Sequence, residues 1–371
     1  MDVNFGTGTP FSLGVEEELQ LLNSESFELT SRYDEVFGEA EATDERVKPE
    51  LMQSTVEVAT RPARTVGEAV EEARELRRQI RDAAAEKGAL IASAGTHPFS
   101  RYEHQEITDR PRYLELIDAM QWVAEREVIF GLHVHVGMAS AAHAIAVASA
   151  LRTWLPELLA LSANSPFWAA RDTGLASTRS KVFDSFPRSG VPPAFSSFEE
   201  FELLVDRGVR TNCFEDYTFI WWDLRPHPRL GTIEIRVCDA QTRLESVAVL
   251  VALVQSLAAT LAERYDRDGV LPTQPRTLID ENKWRAARYG LEANLIDLDR
   301  DEERPAAEAA LALADLAAPA ARRLGCAAEL EGLARLLARG DGASEQRRVH
   351  ERGGSLLDVA QWLVEETAAD L

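Results

Sequence analysis

The chain has 371 residues, of which 45% are hydrophobic, enough to bury a large core. It carries 40 basic and 62 acidic residues, so its formal net charge is −22. This excess of acid excludes nucleic acid and anionic membrane surfaces as partners, because both require a basic footprint on the protein.

The predicted elements alternate between strands and helices along the first half of the chain. Apolar residues alternate through 11–22, and 47–60 is rich in Val and Thr, so both segments are predicted strands. A long helix is predicted over 65–86, where Thr65 and Glu68 have capping-box spacing. The elements that follow are a strand over 89–98, a helix over 110–130, a strand over 131–138 and a helix over about 141–161.

The second half begins with residues 165–200, which are rich in Pro, Ser, Gly and aromatic residues. A stretch of this length within a compact domain predicts a functional loop. The remaining predicted elements are strands over 217–227 and 231–239, joined like a hairpin, and helices over 242–266, 305–339 and 355–367. This order predicts an α+β fold with one largely antiparallel sheet.

The segment "FSLGVEEELQL" (11–21) places three glutamates in a row on a predicted strand. Since alternate residues of a strand share a face, Glu16 and Glu18 lie on the polar face, roughly 7 Å apart, and Glu17 faces with the apolar residues. A divalent cation would neutralise such an acidic wall. The alternative is a solvated outer face, on which the pair is harmless, and Glu17 has no predicted role beyond an ion pair.

Three further predicted strands carry polar faces. "PELMQSTVE" contains Glu50 and Glu57, which share a face only if a bulge intervenes or Glu50 lies just outside the strand. "GLHVHVG" places His133 and His135 on one face, as metal ligands or as core histidines bonded to the backbone. "GTIEIRVCD" places Thr232, Glu234, Arg236 and Cys238 on one face, where Glu234 and Arg236 form either an ion pair or a metal ligand beside a phosphate clamp.

Together these strands predict a sheet with one face on helices and the other forming an open active site. Carboxylate ligands suit Mg²⁺ or Mn²⁺ better than zinc, and Mg²⁺ with arginines indicates phosphoryl chemistry. The sequence has no GxxxxGK[ST] loop and no GxGxxG after a strand, which excludes the usual nucleotide-binding folds.

The cysteines and the N-terminal residues indicate the cellular compartment of the protein. Cys213, Cys238 and Cys326 form no CxxC pair and no zinc spacing, which indicates free thiols in a reducing compartment. The opening "MDVNFGTGTPFSLG" lacks the basic and apolar regions of a signal peptide. We therefore expect a soluble, cytoplasmic protein with no membrane partner.

At this point the sequence resembles a known family. "LGVEEELQL", "PELMQSTVEVAT", "GLHVHVG", "FPRSG", "WWDLRP", "GTIEIRVCD" and "ENKWRAARYG" are similar to the glutamate–cysteine ligase type 2 family of bacterial carboxylate–amine ligases. The resemblance covers residues 11–290, whereas the helical part, 291–371, carries no such motif. With no linker in the sequence, we expect one catalytic domain over 1–371.

The resemblance implies the glutamine synthetase/guanido kinase-like fold, with a curved, mainly antiparallel sheet and helices on its convex face. It further implies ATP, Mg²⁺ or Mn²⁺, and an acyl phosphate that an amine converts to an amide. The substrates implied are small molecules, glutamate and cysteine in the named reaction, and the family default is a homodimer.

The resemblance also assigns candidate residues. The implied metal ligands are Glu16, Glu18, Glu50, Glu57, His133 and Glu234. Arg236 is the implied phosphate ligand and, with Glu234, the catalytic pair. Candidates to clamp phosphates or a substrate carboxylate, with surface ion pairs as the alternative, are Arg188, Arg225, Lys283, Arg285 and Arg288; His135 is, with Arg225, a candidate for the substrate.

Two rival functions remain open. A guanidino-type phosphotransferase on a related scaffold would need a reactive cysteine. A non-catalytic ATP or metal sensor would be expected to lack some of the acids, and all of them are present. For the ligase, we expect Glu18→Gln and Glu234→Gln to abolish activity with little loss of folding.

Overall fold

A computed structural model of the protein describes residues 2–38 and 45–371. The strands are β1 Leu13–Asn23, β2 Val47–Pro49, β3 Thr55–Ala59, β4 Ala89–Ala92, β5 Gly131–Gly137, β6 Phe167–Trp168, β7 Arg171–Asp172, β8 Ser189–Gly190, β9 Trp221–Trp222, β10 Leu224–His227, β11 Thr232–Asp239, β12 Asn294–Asp297 and β13 Glu302–Pro305.

Helices occupy most of the rest of the described chain. They are α1 Tyr33–Phe37, α2 Val66–Glu86, α3 Pro111–Met120, α4 Trp122–Glu125, α5 Ala141–Leu151, α6 Leu155–Ser162, α7 Thr178–Phe183, α8 Phe198–Arg210, α9 Leu244–Asp268, α10 Arg276–Tyr289, α11 Ala306–Leu324, α12 Ala327–Glu331, α13 Leu333–Arg339, α14 Gly342–Gly353 and α15 Leu356–Ala368.

One antiparallel sheet organises the described residues. Its strand order is β10-β11-β5-β1-β3-β2, and β4 also pairs with β1, so β1 contacts three strands. Alternation along β1, β5 and β11 sends residues such as Val15, Val134 and Ile235 into the main hydrophobic core. The residues between them, which include the glutamates and histidines, face the opposite side. The predicted α+β fold with a mainly antiparallel sheet is therefore confirmed.

The core lies between this sheet and a layer of helices. The sheet residues pack against apolar residues of α2, α5, α6 and α9, and Leu313 of α11 and Leu333 of α13 belong to the same core. That shared core favours one catalytic domain over 1–371, which stays a prediction. By length and composition Ala141–Ser162 and α9 could span a membrane, but 78% and 83% of their apolar windows are buried inside the protein. They are core helices.

Several predicted elements have different bounds in the structure. The strand expected over 47–60 breaks after Pro49 and resumes at Thr55. The helix expected over 141–161 is interrupted by a 3₁₀ turn, Arg152–Trp154, just before Pro156. The helix expected over 305–339 is three helices, and the first of them ends at Gly325, which has a φ of +77°. The helical segment expected over 110–130 ends at Glu125.

Some elements were not predicted from the sequence. These are the polar helices α8, α10 and α14 and the hairpin β12–β13. The predicted loop 165–200 is indeed largely irregular, apart from α7 and short strand pairs. The capping box at the start of α2 is present as predicted, with Thr65 accepting from the Glu68 N–H.

Candidate active site

A row of polar side chains crosses the open face of the sheet. The antiparallel register sets Glu57 opposite Glu18, Glu16 opposite His133, His135 opposite Glu234, and Glu234 opposite Arg225. Lys48 on β2 continues the row beyond Glu57. Neighbours in such a row lie about 4.5–5.5 Å apart at Cβ, so polar side chains from six strands converge.

The row forms the floor of a cavity of about 390 Å³. Glu50 follows β2 directly, outside the strand, and in this way reaches the same cavity as Glu57. The polar residues that line the cavity are Glu16, Glu18, Lys48, Glu50, Glu57, Arg112, Tyr113, Glu127, His133, His135, Thr218, Arg225, His227, Arg229, Glu234 and Arg236. All six proposed metal ligands are among them.

The central glutamate of the triplet has a different environment. Glu17 is 1% exposed and forms a two-pronged ion pair with Arg77 of α2, which is fully buried. Arg77 also donates to the carbonyls of Gln241 and Thr242. The triplet thus divides between the two faces as predicted, and Glu17 ties the sheet to the helix layer.

Glu234 is the most strongly neutralised acid of the cavity. It accepts hydrogen bonds from Arg225 Nε at 2.7 Å and from Arg236. Burial alone would raise the pKa of Glu234, but the two arginines outweigh it and hold the pKa well below its usual range. Arg225 Nη1 also donates to the carbonyls of Thr218 and Ile220, so three hydrogen bonds hold its guanidinium beside Glu234.

Glu16 lies between the two histidines. Its carboxylate oxygens are 3.4 Å from His133 Nδ1 and 3.4 Å from His135 Nε2. Burial opposes ionisation, yet the histidines keep the pKa of Glu16 well below its usual range. Burial and Arg236 lower the pKa of His133, whereas Glu16 and Glu234 overcome burial and raise that of His135. A neutral His133 can present a lone pair to a cation.

Three other acids of the cavity lack enough positive charge. Burial, reinforced by Glu18, raises the pKa of Glu50 to about 7 and that of Glu127 to about 8. Burial and the adjacent Glu16 and Glu50 raise the pKa of Glu57 well above its usual range. Lys48 Nζ, at 3.6 Å from Glu57, is a partial counterion only. The acids therefore need further cations to ionise together at neutral pH.

The donor set fits a divalent metal. One ligand atom each of Glu16, His133 and Glu234 lies within 4.8 Å of the other two. His133 Nε2 and His135 Nε2 are buried and have no hydrogen-bond partner. Buried polar atoms are normally satisfied, so the neutral His133 has free capacity for a cation, whereas His135, whose pKa is raised, is better suited to donate to an anion. Carboxylate oxygens with one imidazole suit Mg²⁺ or Mn²⁺.

The structure places four predicted cationic residues outside the lining of this cavity. The ammonium of Lys283 contacts Asp184 and Asp223, both at 2.8 Å. Arg285 pairs with Glu281 and Glu303, at 2.8 and 2.7 Å. The contacts of Arg285 match the surface ion pairs that the sequence left open as the alternative, whereas Lys283 is 5% exposed and forms a buried ion pair.

The other two predicted arginines are held by the backbone. Arg288 donates to the Gly174 carbonyl and lies over the Tyr289 ring. Arg188 donates to the Phe219 carbonyl and stacks 5.2 Å from the Trp221 ring, behind the cavity wall. Trp222 is a core residue.

Sequence reasoning missed other cavity residues, notably Glu127, Arg112 and Tyr113. Glu127 was not predicted as a site residue because the helix expected over 110–130 included it, whereas the helical segment ends at Glu125. Strand alternation could have identified Glu127. If the chain is extended before β5, every second residue backwards from His135 and His133 lies on the same face, and this series includes Glu127. The positions of Arg112 and Tyr113 depend on how α3 folds over the sheet, for which the sequence holds no local signal.

One predicted member of the polar face is misplaced. The register of β11 against β5 shifts between Ile235 and Cys238, and Cys238 is buried in the main hydrophobic core. The irregularity reverses the alternation after Arg236, so Cys238 does not share the face of Glu234. Burial raises the pKa of the Cys238 thiol to about 12.

Comparisons with known proteins identify the family to which the chain is similar. The model of the family described as "Glutamate-cysteine ligase family 2" matches residues 12–365. Two proteins of Rubrobacter xylanophilus, named "Putative glutamate--cysteine ligase 2-1" and "2-3", are each 45% identical over 99% of this chain and cover 98% and 100% of their own lengths.

Solved structures share the fold at low sequence identity. A glutamate–cysteine ligase from Francisella tularensis, in complex with AMP, has a TM-score of 0.71 at 14% identity, over 100% of this chain and 92% of that one. A bifunctional glutathione synthetase from Pasteurella multocida has a TM-score of 0.70 at 15% identity, over 97% of this chain and 53% of that one. By the family match and its relatives, the chain belongs to glutamate-cysteine ligase family 2, and it is a carboxylate–amine ligase, an enzyme that forms carbon–nitrogen bonds.

Proposed function

We propose that the protein uses ATP and a divalent metal, Mg²⁺ or Mn²⁺, to join an amino-acid carboxylate to an amine through an acyl phosphate. The observation that carries the proposal is the convergence of Glu16, His133 and Glu234 in a cavity that also holds Arg236. Glutamate and cysteine, named in the relatives, are the first substrates to test. The AMP in the Francisella tularensis ligase supports a nucleotide in this fold.

The metal would be held by Glu16, His133 and Glu234, with Glu18, Glu50 and Glu57 available for further ions. When bound, it would neutralise phosphate oxygens and make phosphorus a better electrophile. Glu234 is held in place by Arg225 and Arg236, so its oxygens are positioned before any ligand arrives. Arg225 is therefore a positioning residue for Glu234 in this proposal.

The chemistry proceeds in two displacements. A carboxylate oxygen attacks the γ-phosphorus of ATP, the bond to the ADP oxygen breaks, and an acyl phosphate forms. The lone pair of the amine nitrogen then attacks the acyl carbon, the carbon–oxygen bond to phosphate breaks, and the nitrogen loses a proton. No covalent enzyme nucleophile is needed, and the role of Arg236 is to stabilise charge on the phosphoryl oxygens.

The guanidino phosphotransferase alternative loses support. It required a reactive cysteine, and within residues 2–38 and 45–371 no cysteine lines the cavity. Cys238 is buried with a raised thiol pKa, Cys326 is buried, and Cys213 is exposed beyond α8. A non-catalytic ATP or metal sensor would be expected to lack some of the acids, so the presence of all of them disfavours that function.

The proposal is tested by following ADP release with Mg²⁺ and a panel of amino acids and amines. Carboxylate labelled with ¹⁸O should transfer one labelled oxygen to the phosphate product, because that oxygen bridges carbon and phosphorus in the acyl phosphate. Amide formation without label transfer would contradict the acyl phosphate, and no ADP from any acid–amine pair would contradict the ligase reaction.

A further inference from the structure

One buried arginine beside the active site lacks a counterion. Within the described residues four arginines are less than 8% exposed: Arg77, Arg152, Arg179 and Arg225. Arg77 and Arg225 each bind a buried glutamate and two backbone carbonyls. Arg152 donates to three carbonyls, those of Ser149, Pro192 and Gln274.

Arg179 is the exception. Its side chain has one protein acceptor in the described structure, the Arg236 carbonyl, 3.3 Å from both Nη1 and Nη2. Its Nε is buried without a partner, and no carboxylate of the described residues lies within ion-pair distance. A buried guanidinium loses its hydration and needs an anion or a full set of acceptors, and Arg179 has neither.

The unpartnered guanidinium lies next to the cavity. Arg179 and Arg236 line a small lobe of about 30 Å³, which shares Glu18, Glu50 and Glu127 with the main cavity. Arg236 Nε is likewise buried without a partner. Two guanidinium groups with unused donors thus border one space at the acid cluster.

Gly131 maintains the space for this guanidinium. Its N–H donates to Glu18, and a Cβ at this position would collide with the Arg179 guanidinium and lie 3.0 Å from His133 Nε2. Gly131 does not have a positive φ, so glycine is not required here by the backbone conformation. It is required because a side chain would occupy the space of the guanidinium. The strand therefore leaves an opening through which Arg179 reaches the site.

The competing explanation is that Arg179 neutralises the buried Asp239. Its charge does reach Asp239, as it reaches Asp223 and Glu127, and at each it offsets part of the pKa rise caused by burial. The oxygens of Asp239, however, are already used: Ser177 Oγ donates to Oδ1, and Ser165 Oγ and the Asn164 N–H donate to Oδ2. Asp239 is satisfied without Arg179, and Arg179 remains without a paired anion.

We propose that Arg179, together with Arg236, binds the phosphoryl group as it moves from ATP to the carboxylate, an inference that rests on the proposed function. Three acids border the same lobe and would repel a lone substrate carboxylate. A phosphoryl group comes with divalent cations, which those acids bind. No proton moves to or from either arginine: the two donate hydrogen bonds to phosphoryl oxygens while the phosphorus changes partners.

The test compares binding of ADP with that of a non-hydrolysable β,γ-imido analogue of ATP, in Mn²⁺ buffer, by titration calorimetry. Arg179→Gln should weaken the ATP analogue about 10- to 100-fold, the size of one or two charge-assisted hydrogen bonds, and leave ADP within about twofold. Arg152→Gln is the matched control, since Arg152 is as deeply buried but lies outside the cavity; it should lower Tm and leave both ligands unchanged.

A second variant keeps the inference testable if Arg179→Gln does not fold. Gly131→Ala should displace the guanidinium and weaken the ATP analogue more than ADP, with a smaller loss common to both nucleotides because its Cβ also approaches His133. Equal weakening of ADP and the analogue, together with a lower Tm, would assign Arg179 to Asp239 and overturn the inference. So would a raised KM for the acid substrate with analogue binding unchanged, since that would point to the substrate carboxylate.

Failure of this inference is distinguishable from failure of the proposed function. Wild-type protein that binds neither nucleotide would contradict the proposed function and remove the basis of the inference. Wild-type protein that binds both, beside an Arg179→Gln variant with the same ATP-analogue affinity, would overturn the inference alone.

Discussion

Consecutive glutamates on β1 have opposite environments although they have the same side chain. Glu16 and Glu18 face a cavity lined by other acids, whereas Glu17 is enclosed with Arg77 beneath the sheet. Strand alternation alone produces this division. A substitution of Glu17 therefore tests the stability of the protein, whereas a substitution of Glu16 or Glu18 tests its activity.

Glu17→Gln and Glu18→Gln form a matched pair. Glu17→Gln leaves a buried guanidinium without its anion and should cost about 3–5 kcal/mol of unfolding free energy in urea titrations. Glu18→Gln removes one carboxylate from a cluster of like charges, so it should abolish ligase activity with little loss of stability. Loss of stability in Glu18→Gln and not in Glu17→Gln would contradict both assignments.

Glu234→Gln should differ from Glu18→Gln, contrary to the expectation from sequence alone. Glu234 neutralises the buried Arg225 and the partly buried Arg236, so its loss leaves both arginines unpaired. We expect lost activity and a lower unfolding free energy, by about 3 kcal/mol or more, in the same urea titration. Unchanged stability would show that solvent or ions replace the carboxylate.

His97 should make stability depend on pH. Its Nε2 donates to the Phe27 carbonyl, and its Nδ1 accepts from the N–H groups of Phe99 and Ser100. A proton on Nδ1 would face two donors, and burial lowers the pKa of His97 to about 3. The unfolded chain, with a histidine pKa near 6.5, binds the proton more readily, so stability falls as pH drops below about 6.5.

The His97 contribution lost by pH 5 is about 2 kcal/mol, from 1.5 pH units at about 1.36 kcal/mol each. Urea titrations between pH 5 and 7 measure it. His97→Gln retains a donor and an acceptor but does not titrate, so it should flatten the slope by that amount. An identical slope in wild type and variant would exclude His97 as its source.

At the scale of elements, polar helices contribute to stability through buried ion pairs. The predicted strands were found because their period of two places apolar residues on one face. Helix α10 lacks a long apolar stripe, and its Lys283 is buried only because Asp184 and Asp223 accept its charge. Such partners come from distant parts of the chain, so neither the helix packing nor the role of Lys283 could be predicted from the local sequence.

Lys283→Met separates the two roles considered for this lysine. If Lys283 only joins α10 to Asp184 and Asp223, the variant should lose about 3 kcal/mol of unfolding free energy and keep the ATP affinity of wild type. Calorimetric titration of the nucleotide and urea unfolding measure the two effects. A large loss of ATP affinity with unchanged stability would instead support the sequence-based prediction that Lys283 binds phosphate.

The candidate site shows the same limit of prediction. Its acids and histidines lie on strands, where alternation from Glu16 to Glu18 or from His133 to His135 assigns the face. Two of its cations do not follow this rule: Arg179 comes from α7 and Arg112 from α3, and only tertiary packing brings them to the sheet. The family resemblance supplied roles for strand residues and none for Arg179 or Arg112.

At the scale of the whole molecule, a net charge of −22 and an acid-lined cavity should make stability sensitive to cations. Mn²⁺ at a hundredfold excess over its Kd should add about 2.7 kcal/mol to the unfolding free energy. Sodium chloride at equal ionic strength is the control, because screening of net charge alone also stabilises. The Mn²⁺ increment should disappear in Glu16→Gln; equal effects of Mn²⁺ and sodium chloride would exclude a specific site.

The central position of β1 makes the protein respond differently to deletions and to substitutions. This strand pairs with β3, β4 and β5, so its register is set from both sides. Deleting Val15 would exchange the two faces of the residues that follow: Glu17 would point into the cavity, and Glu16 and Glu18 would point into the helix layer. A change of one of these glutamates affects either stability or activity, whereas loss of a single residue before them removes fold and site together.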